Sequence, residues 1–499
     1  MAKKKKNKPK TFPETENQSL EDILNSIKIL TSSEEVKRYL ENLGSSLLIT
    51  SSPKTFFQAL EEIKQGKHSE ILKHSVGRGH TAAQDLVNLP VYFDLVPRLF
   101  TLFLTDNPYY FVGALQRSTR RVEHIAYAPI QTRDKNLDDK VKEYYRNSKE
   151  LFNRILNDVT DSERPNYREL AMYAQPLSLL TSIFVIFDWR NINSVQKHLE
   201  LLINGENPAE FSSLISKINS TFNNKLGNLN ENLIKDLGQN YNERLMYPSR
   251  GLFTHSEKSS DILSNLEKAL QGSDQKFEGI TIPTHLKNSF KNYLNELIHK
   301  KDENSYDTAQ VSLNPVRISF YLNADLSLIH EIFRHRTLNI QVGSIFDRMQ
   351  ELSSKLKKNE NFDISPYFTI PPQLSDKYKR DMLELYKNSI ELFSQIYEKT
   401  GSVSEALLVV PHALKLPMYI EMSLPSALKF FGDRLCYTAK STLRSSLWEL
   451  VSSMRNSEDE RVKYMGNLLG PKCAYLNACP EEKKNCPQSH LIGSIAKLL

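Results

Sequence analysis

No apolar run in this chain approaches the roughly 18 residues a helix needs to cross a bilayer. The basic N-terminus is followed by no apolar core segment, so no secretory leader is expected. Cysteine is scarce. Cys436 stands alone, and Cys473, Cys479 and Cys486 cluster near the end. A secreted disulfide scaffold uses many more, so a reducing cytoplasm is the expected setting. Neither a Gly-x-x-x-x-Gly-Lys loop nor a Gly-x-Gly-x-x-Gly fingerprint stands out, so any dinucleotide must be held by other means. An excess of one charge is missing too. Lys3, Lys4, Lys5, Lys6, Lys8 and Lys10 account for the whole net charge of +6, leaving 59 basic against 59 acidic side chains. A nucleic-acid binder is expected to carry a basic body, so that class loses its main support. Residues 1–20 read as a disordered, solvated lysine-rich tail. A transient contact of that tail with RNA or an anionic surface is the remaining nucleic-acid alternative.

What is present fits a globular protein, with 39% apolar and 25% charged residues. A length of 499 residues exceeds one ordinary core and implies two or three domains. An internal repeat gives the division. Tyr145, Asn147, Ser148, Glu150, Leu151, Phe152 and Ile155 match Tyr386, Asn388, Ser389, Glu391, Leu392, Phe393 and Ile396 at one constant offset. Both segments have helical apolar spacing.

The flanking pattern also repeats. Val316, Ile318, Phe320 and Leu322 alternate with polar residues as in a half-buried strand. Asn323 or Asp325 can cap a following helix with the stripe Leu328, Ile329, Ile332 and Phe333. In the first half, Phe100, Leu102 and Leu104 read as the matching strand. Asp106-Asn107-Pro108 reads as the start of a helix ending near Gln116–Arg121. Gln175-Pro176-Leu177 and Val410-Pro411-His412 form a further pair. The expected fold class is α+β, with two tandem copies of a helix-rich domain carrying a small antiparallel sheet. The expected layout is a helical preface over 21–75, domains over 76–260 and 280–465, a polar linker around 205–280, and a Cys-rich segment over 466–499.

Arg334, His335 and Arg336 gather cationic and donor groups at a helix end. Two planar guanidinium forks flanking an imidazole suit a pyrophosphate or a planar heterocycle. Gly343 allows a tight backbone before Ser344, whose hydroxyl can donate to a ligand. A solvated basic helix terminus is the plain alternative.

Arg334-His335-Arg336, seven residues and then Ser344 resembles the signature of the flavin-dependent thymidylate synthase family. Val410-Pro411, Arg434, Ala439, Leu443 and Arg444 resemble its downstream text, over about 285–460. Gly79-His80-Thr81 resembles its Gly-His-x-Ser/Thr start, and Trp189-Arg190-Asn191 loosely resembles a cofactor-touching segment. The triplet's counterpart in the first half is read as Gln116-Arg117-Ser118. The resemblance implies FAD, with NADPH and methylenetetrahydrofolate as co-substrates and reductive methylation of dUMP to dTMP. It implies catalytic roles for Arg334, His335, Arg336 and Ser344. It implies cofactor binding by the same triplet with Asn339, His80 and Arg190, and substrate binding by Ser344, Arg348, Arg434 and Arg444. It also implies a homodimer of fused copies forming a pseudo-tetramer, with His80 of one half facing Arg334 of another.

Several positions depart from the family pattern. Val342 replaces a Glu, Phe346 replaces an Arg, and Lys440-Ser441-Thr442 replaces Gln-x-Glu. Ser423 and Pro425 replace an Asn and an Arg, and apolar text around Leu407 replaces another Arg. A diverged, non-synthesising flavin- or nucleotide-binding homologue is therefore the second reading. Outside the signature, Cys473, Cys479, Cys486 and His490 offer three thiols and an imidazole, a set that zinc accepts. Unligated thiols are the alternative. His330, His412 and Cys436 read as structural residues.

Overall fold

The computed structural model describes residues 19–49, 55–63, 87–107, 110–117, 126–160, 162–203, 211–229, 249–256, 258–299, 303–476, 478–480 and 486–495. The lysine tail and His80 lie outside them. In the first half, the elements used below are β1 Ile27–Ile29, β2 Asn88–Pro97, α1 Arg98–Asp106, β3 Gly113–Gln116, α2 Lys135–Asn157, β4 Leu180–Asp188 and α3 Trp189–Ile203. In the second, they are α4 Ser259–Leu270, β5 Gln275–Thr281, β6 Arg317–Asp325, α5 Leu326–Phe333, β7 Asn339–Val342, α6 Ile345–Lys358, α7 Asp376–Thr400, β8 Lys415–Ser423, α8 Leu424–Arg434 and α9 Ser441–Arg455. No described helix is long and apolar enough to cross a membrane.

The strands form two antiparallel four-stranded sheets, ordered β1-β2-β4-β3 and β5-β6-β8-β7. The order is the same in both, so the α+β expectation with two sheet-bearing halves holds. Burial alternates along β6, with Ile318, Phe320, Leu322 and Ala324 at 0–1% exposure, because only one face of the strand packs into the core. β1 comes from the segment read as a helical preface, and it pairs through Ile27, Lys28 and Ile29 with Phe93, Tyr92 and Val91.

Two local expectations were wrong. Phe100, Leu102 and Leu104 lie in α1, not in a strand, and the strand is β2, ten residues long. Every residue of α1 is buried, including Arg98, Thr101, Thr105 and Asp106, so polar text on this helix does not mark an exposed face, and Phe100, Leu102 and Leu104 mimic a period of two. The stretch read as a helix ends as β3, which pairs with β4. The segment read as a polar linker contains a helix over Leu214–Leu229, then α4 and β5.

The chain folds into two compact units that do not follow its sequential halves. The first is Met1–Ser249 with Met349–Leu414, and the second is Arg250–Arg348 with Lys415–Leu499. The sequence repeat lies within the first unit, as α2 and α7. These helices run in opposite directions, since Lys140 reaches Gln395 at 3.3 Å while Arg154 pairs with Asp381 at 2.9 Å. The repeat offset that maps Tyr145 onto Tyr386 also maps Lys140 onto Asp381 and Arg154 onto Gln395, so one contact is the mirror of the other, as in an isologous interface. Matched hydroxyls make matched bonds. Ser148 Oγ donates to Ala174 O at 2.8 Å, and Ser389 Oγ donates to Val409 O at 2.9 Å. Leu177 N donates to Val410 O while His412 N donates to Gln175 O, and Pro176 faces Pro411. These bonds satisfy buried polar groups that would otherwise each cost about 1–3 kcal/mol.

Candidate functional site

The Arg-His-Arg segment is placed by a strand, a cap and a short helix in the second unit. Asp325 ends β6 and accepts from Leu328 N at 2.9 Å, starting α5. Lys440 donates to Ser327 Oγ at 2.5 Å in the first turn of α5. Leu328, Ile329, Ile332 and Phe333 are all buried, as the stripe requires. The helix ends at Arg334, its C-cap, where cations are favoured by the helix dipole.

The imidazole of His335 is fixed from α8 and α5. Arg434 Nε donates to His335 Nε2 at 2.9 Å. The same guanidinium donates to Glu331 O at 3.3 Å and pairs with Glu331 Oε2 at 3.4 Å. Glu331 also pairs with Arg334 at 3.7 Å. Phe430 meets the imidazole edge-on, with ring centroids 5.0 Å apart. Burial, then the Arg434 charge, pushes the His335 pKa down to about 4, against the opposing pull of Asp433 and Glu331. Arginine has no acceptor, so Nε2 must accept and the ring's single proton sits on Nδ1. Among the described residues no group hydrogen-bonds Nδ1. Burial also draws the Arg336 guanidinium below its ordinary value.

Arg250 supports the same turn from behind. It donates to Phe333 O at 3.0 Å and His335 O at 3.3 Å, and its guanidinium lies 4.6 Å from the Phe333 ring centroid. Its neighbour Gly251 adopts φ +103, and a Cβ there would sit 2.8 Å from Val342 O. Arg250 O in turn accepts from Val342 N at 2.9 Å. Arg250 and Glu331 were not found in the sequence. Glu331 had a signal, its spacing of three from Arg334 on one helix. Arg250 had none, being distant in sequence.

The other expected residues make contacts within their own surroundings. Ser344 is buried and its Oγ accepts from Asp347 N at 3.3 Å, at the start of α6. Gly343 is closely packed, since an added Cβ would meet Leu263 Cδ1, the end of a side chain, at 2.6 Å. The Arg348 side chain is 2% exposed and is paired with Glu267. Asn339 donates to Glu421 at 3.3 Å across β7 and β8. Arg444 donates to Tyr437 O at 2.6 Å and Ala439 O at 3.2 Å, holding the loop before α9. Arg190 is in the first turn of α3, with its side chain outside the described residues. The C-cap position that Arg334 fills after α5 is filled by Asn107 after α1, and Gln116 instead pairs across from Ile183, as Val342 does from Met418. The triplet's counterpart therefore lies at the end of α1, near Asn107, and not at Gln116-Arg117-Ser118.

Burial, then the neighbouring Cys436, Cys479 and Cys486, pushes the Cys473 thiol up. His490 is exposed, with Nδ1 3.2 Å from Pro487 O. Among the described residues no three His, Cys, Asp or Glu side chains are grouped to hold a metal ion, so the expected zinc set of Cys473, Cys479, Cys486 and His490 gains no support. A cleft of about 560 Å³ in the first unit is lined by Ser353, Lys357, Lys387, Glu391 and Glu398, among others, and by none of the expected site residues.

Fold and turn together define an α+β domain whose donor side chains gather on one helix-ending turn. Residues 252–457 match the family model described as thymidylate synthase complementing protein. The flavin-dependent thymidylate synthase of Thermococcus onnurineus is 27% identical over 158 residues, covering 30% of this chain and 59% of its own length. That of Pyrococcus furiosus is 27% identical over 154 residues, covering 30% and 59%. That of Pyrococcus abyssi is 26% identical over 156 residues, covering 31% and 60%. The chain thus spans about three-fifths of the length of these relatives. Through this segment the chain is similar to the flavin-dependent thymidylate synthase family.

Proposed function

We propose that this protein binds FAD at the Arg334–Arg336 turn and carries out the reductive methylation of dUMP to dTMP, with methylenetetrahydrofolate and NADPH as co-substrates. The observation that carries the reading is the intact signature on an ordered turn, with His335 held by Arg434 and Glu331. The donor set fits the cofactor. Arg334 and Arg336 offer charged planar forks for phosphate or carbonyl oxygens, and His335 Nδ1–H offers a single directed donor. The flavin-dependent chemistry, with the group bound, would be supply of a hydride. The residues of this chain orient the ligands and meet developing negative charge with preorganised donors.

The pairing of α2 with α7 supports tandem fused copies, and a dimer of chains would then complete a pseudo-tetramer. Light scattering of the purified chain at twice the monomer mass fits this assembly, and a monomer counts against it.

A second reading is a homologue that holds flavin or a nucleotide without synthesis. Val342 and Phe346 stand where the family has Glu and Arg, and the guanidinium of Arg348 is buried against Glu267. Tritium release from 5-labelled dUMP, dependent on FAD and folate, decides between the two. Release supports synthesis. Bound flavin without release supports the second reading.

A further inference from the structure

We propose that Glu331 and Arg434 are positioning residues that hold His335 as its neutral Nδ1–H tautomer, so that the turn offers one uncharged donor between two arginine cations. The inference rests on the ligand-binding reading of this turn, and it assigns the acceptor the imidazole meets: a carbonyl oxygen or ring nitrogen of a planar heterocycle. It also moves Arg434 from the expected direct contact with substrate to a role exercised through His335.

Arg434 Nε is a donor with no acceptor capacity, and it lies 2.9 Å from His335 Nε2. Nε2 can therefore carry no hydrogen while that contact stands. Arg434 is itself oriented by two groups of one residue, the carbonyl and the carboxylate of Glu331, at 3.3 and 3.4 Å. Glu331 is a buried residue of α5, four positions before His335, so the helix that ends at this turn also carries the carboxylate that orients Arg434. The Phe430 ring blocks one side of the imidazole. The charged groups facing the ring are Arg434, Asp433 and Lys429 from α8, and Glu331 from α5. Their sum with burial disfavours a second proton near neutrality. An imidazolium would have made three adjacent cations, suited to phosphate alone. A neutral Nδ1–H leaves charge recognition to Arg334 and Arg336 and gives the imidazole a different partner, a neutral acceptor.

The test is the ¹⁵N spectrum of the full-length chain labelled at histidine, with His335→Asn identifying the resonance, read beside FAD affinity. The expected result at pH 7 is a protonated Nδ1 and a bare Nε2. Glu331→Gln and Arg434→Met are each expected to bring in the other tautomer and to weaken FAD at least ~10-fold. His335→Asn, whose amide NH₂ can stand near Nδ1, is expected to retain more FAD affinity than His335→Gln, whose amide reaches toward Nε2. A protonated Nε2 at pH 7, or a spectrum unmoved in both Glu331→Gln and Arg434→Met, overturns the proposal. A bare Nε2 in a chain that binds no FAD leaves the tautomer assignment standing and removes the flavin reading, so the two failures are distinct.

Discussion

Arg434 donates its Nε hydrogen to Nε2 of His335 at 2.9 Å, joining the end of α8 to the turn after α5. The relationship makes a basic residue behave as an acceptor at one nitrogen and a donor at the other. Its consequences reach stability and pH response as well as ligand recognition.

The pH response has a definite sign. The His335 pKa is lowered from 6.5 to about 4 in the folded chain, so the unfolded chain takes up this proton first. The contribution is full above pH 6.5 and is lost as pH falls toward 4. It amounts to no more than about 3 kcal/mol, less screening at the partly exposed ring. Urea midpoints of the wild type are expected to fall between pH 7 and 4.5 more than those of His335→Asn, which cannot titrate there.

Gly251 and Gly343 are expected to respond differently to alanine. At Gly251 the added Cβ meets a backbone oxygen, and φ is +103, so no side-chain movement relieves the clash. A loss of about 2–3 kcal/mol is expected. At Gly343 the obstacle is Leu263 Cδ1, the end of a side chain. Gly343→Ala is expected to cost about 1–3 kcal/mol and to be partly rescued by Leu263→Ala. Thermal midpoints of the singles and the double check both statements.

Ser344→Ala is expected to lose about 1 kcal/mol, the value of a helix cap, because its hydroxyl accepts from Asp347 N. Ser344→Asp keeps a capping oxygen and is expected to restore most of that stability. A direct role in the reaction would show as lost turnover in Ser344→Asp despite restored stability.

Glu267→Ala leaves Arg348 buried without its carboxylate partner. Removing one member of such a pair costs about 3–5 kcal/mol when both are buried, and about half that here because Glu267 is 40% exposed. The double variant Glu267→Ala, Arg348→Met is expected to recover much of the loss, measured by denaturant titration.

Much of the second half was legible in the sequence. The period of two over Val316–Leu322, the Asp325 cap and the stripe through Phe333 fixed β6, α5 and the site of the turn, because one-sided burial imprints its period on the chain. The first half misled for the same physical reason. α1 is buried on every face, its polar residues included, so the contrast between apolar and polar text does not report exposure there, and Phe100, Leu102 and Leu104 imitated a strand. The site was legible as a motif but not as a network. Arg434 and Arg348 were both read as ligand arginines, yet each is engaged by a carboxylate that the sequence could not bring near, Glu331 in one case and Glu267 in the other. Arg250, which holds the turn from behind, left no trace in the sequence because its contacts go to backbone carbonyls rather than to a matching side chain.

The most direct measurement is titration of the purified full-length chain with FAD, followed by the change in flavin absorbance and fluorescence, beside an Arg334→Ala variant. The account predicts saturable binding by the wild type, and affinity at least ~10-fold weaker in a variant that remains folded. A wild-type chain that leaves added FAD unchanged, or an Arg334→Ala chain that binds it equally well, would contradict a flavin site at this turn.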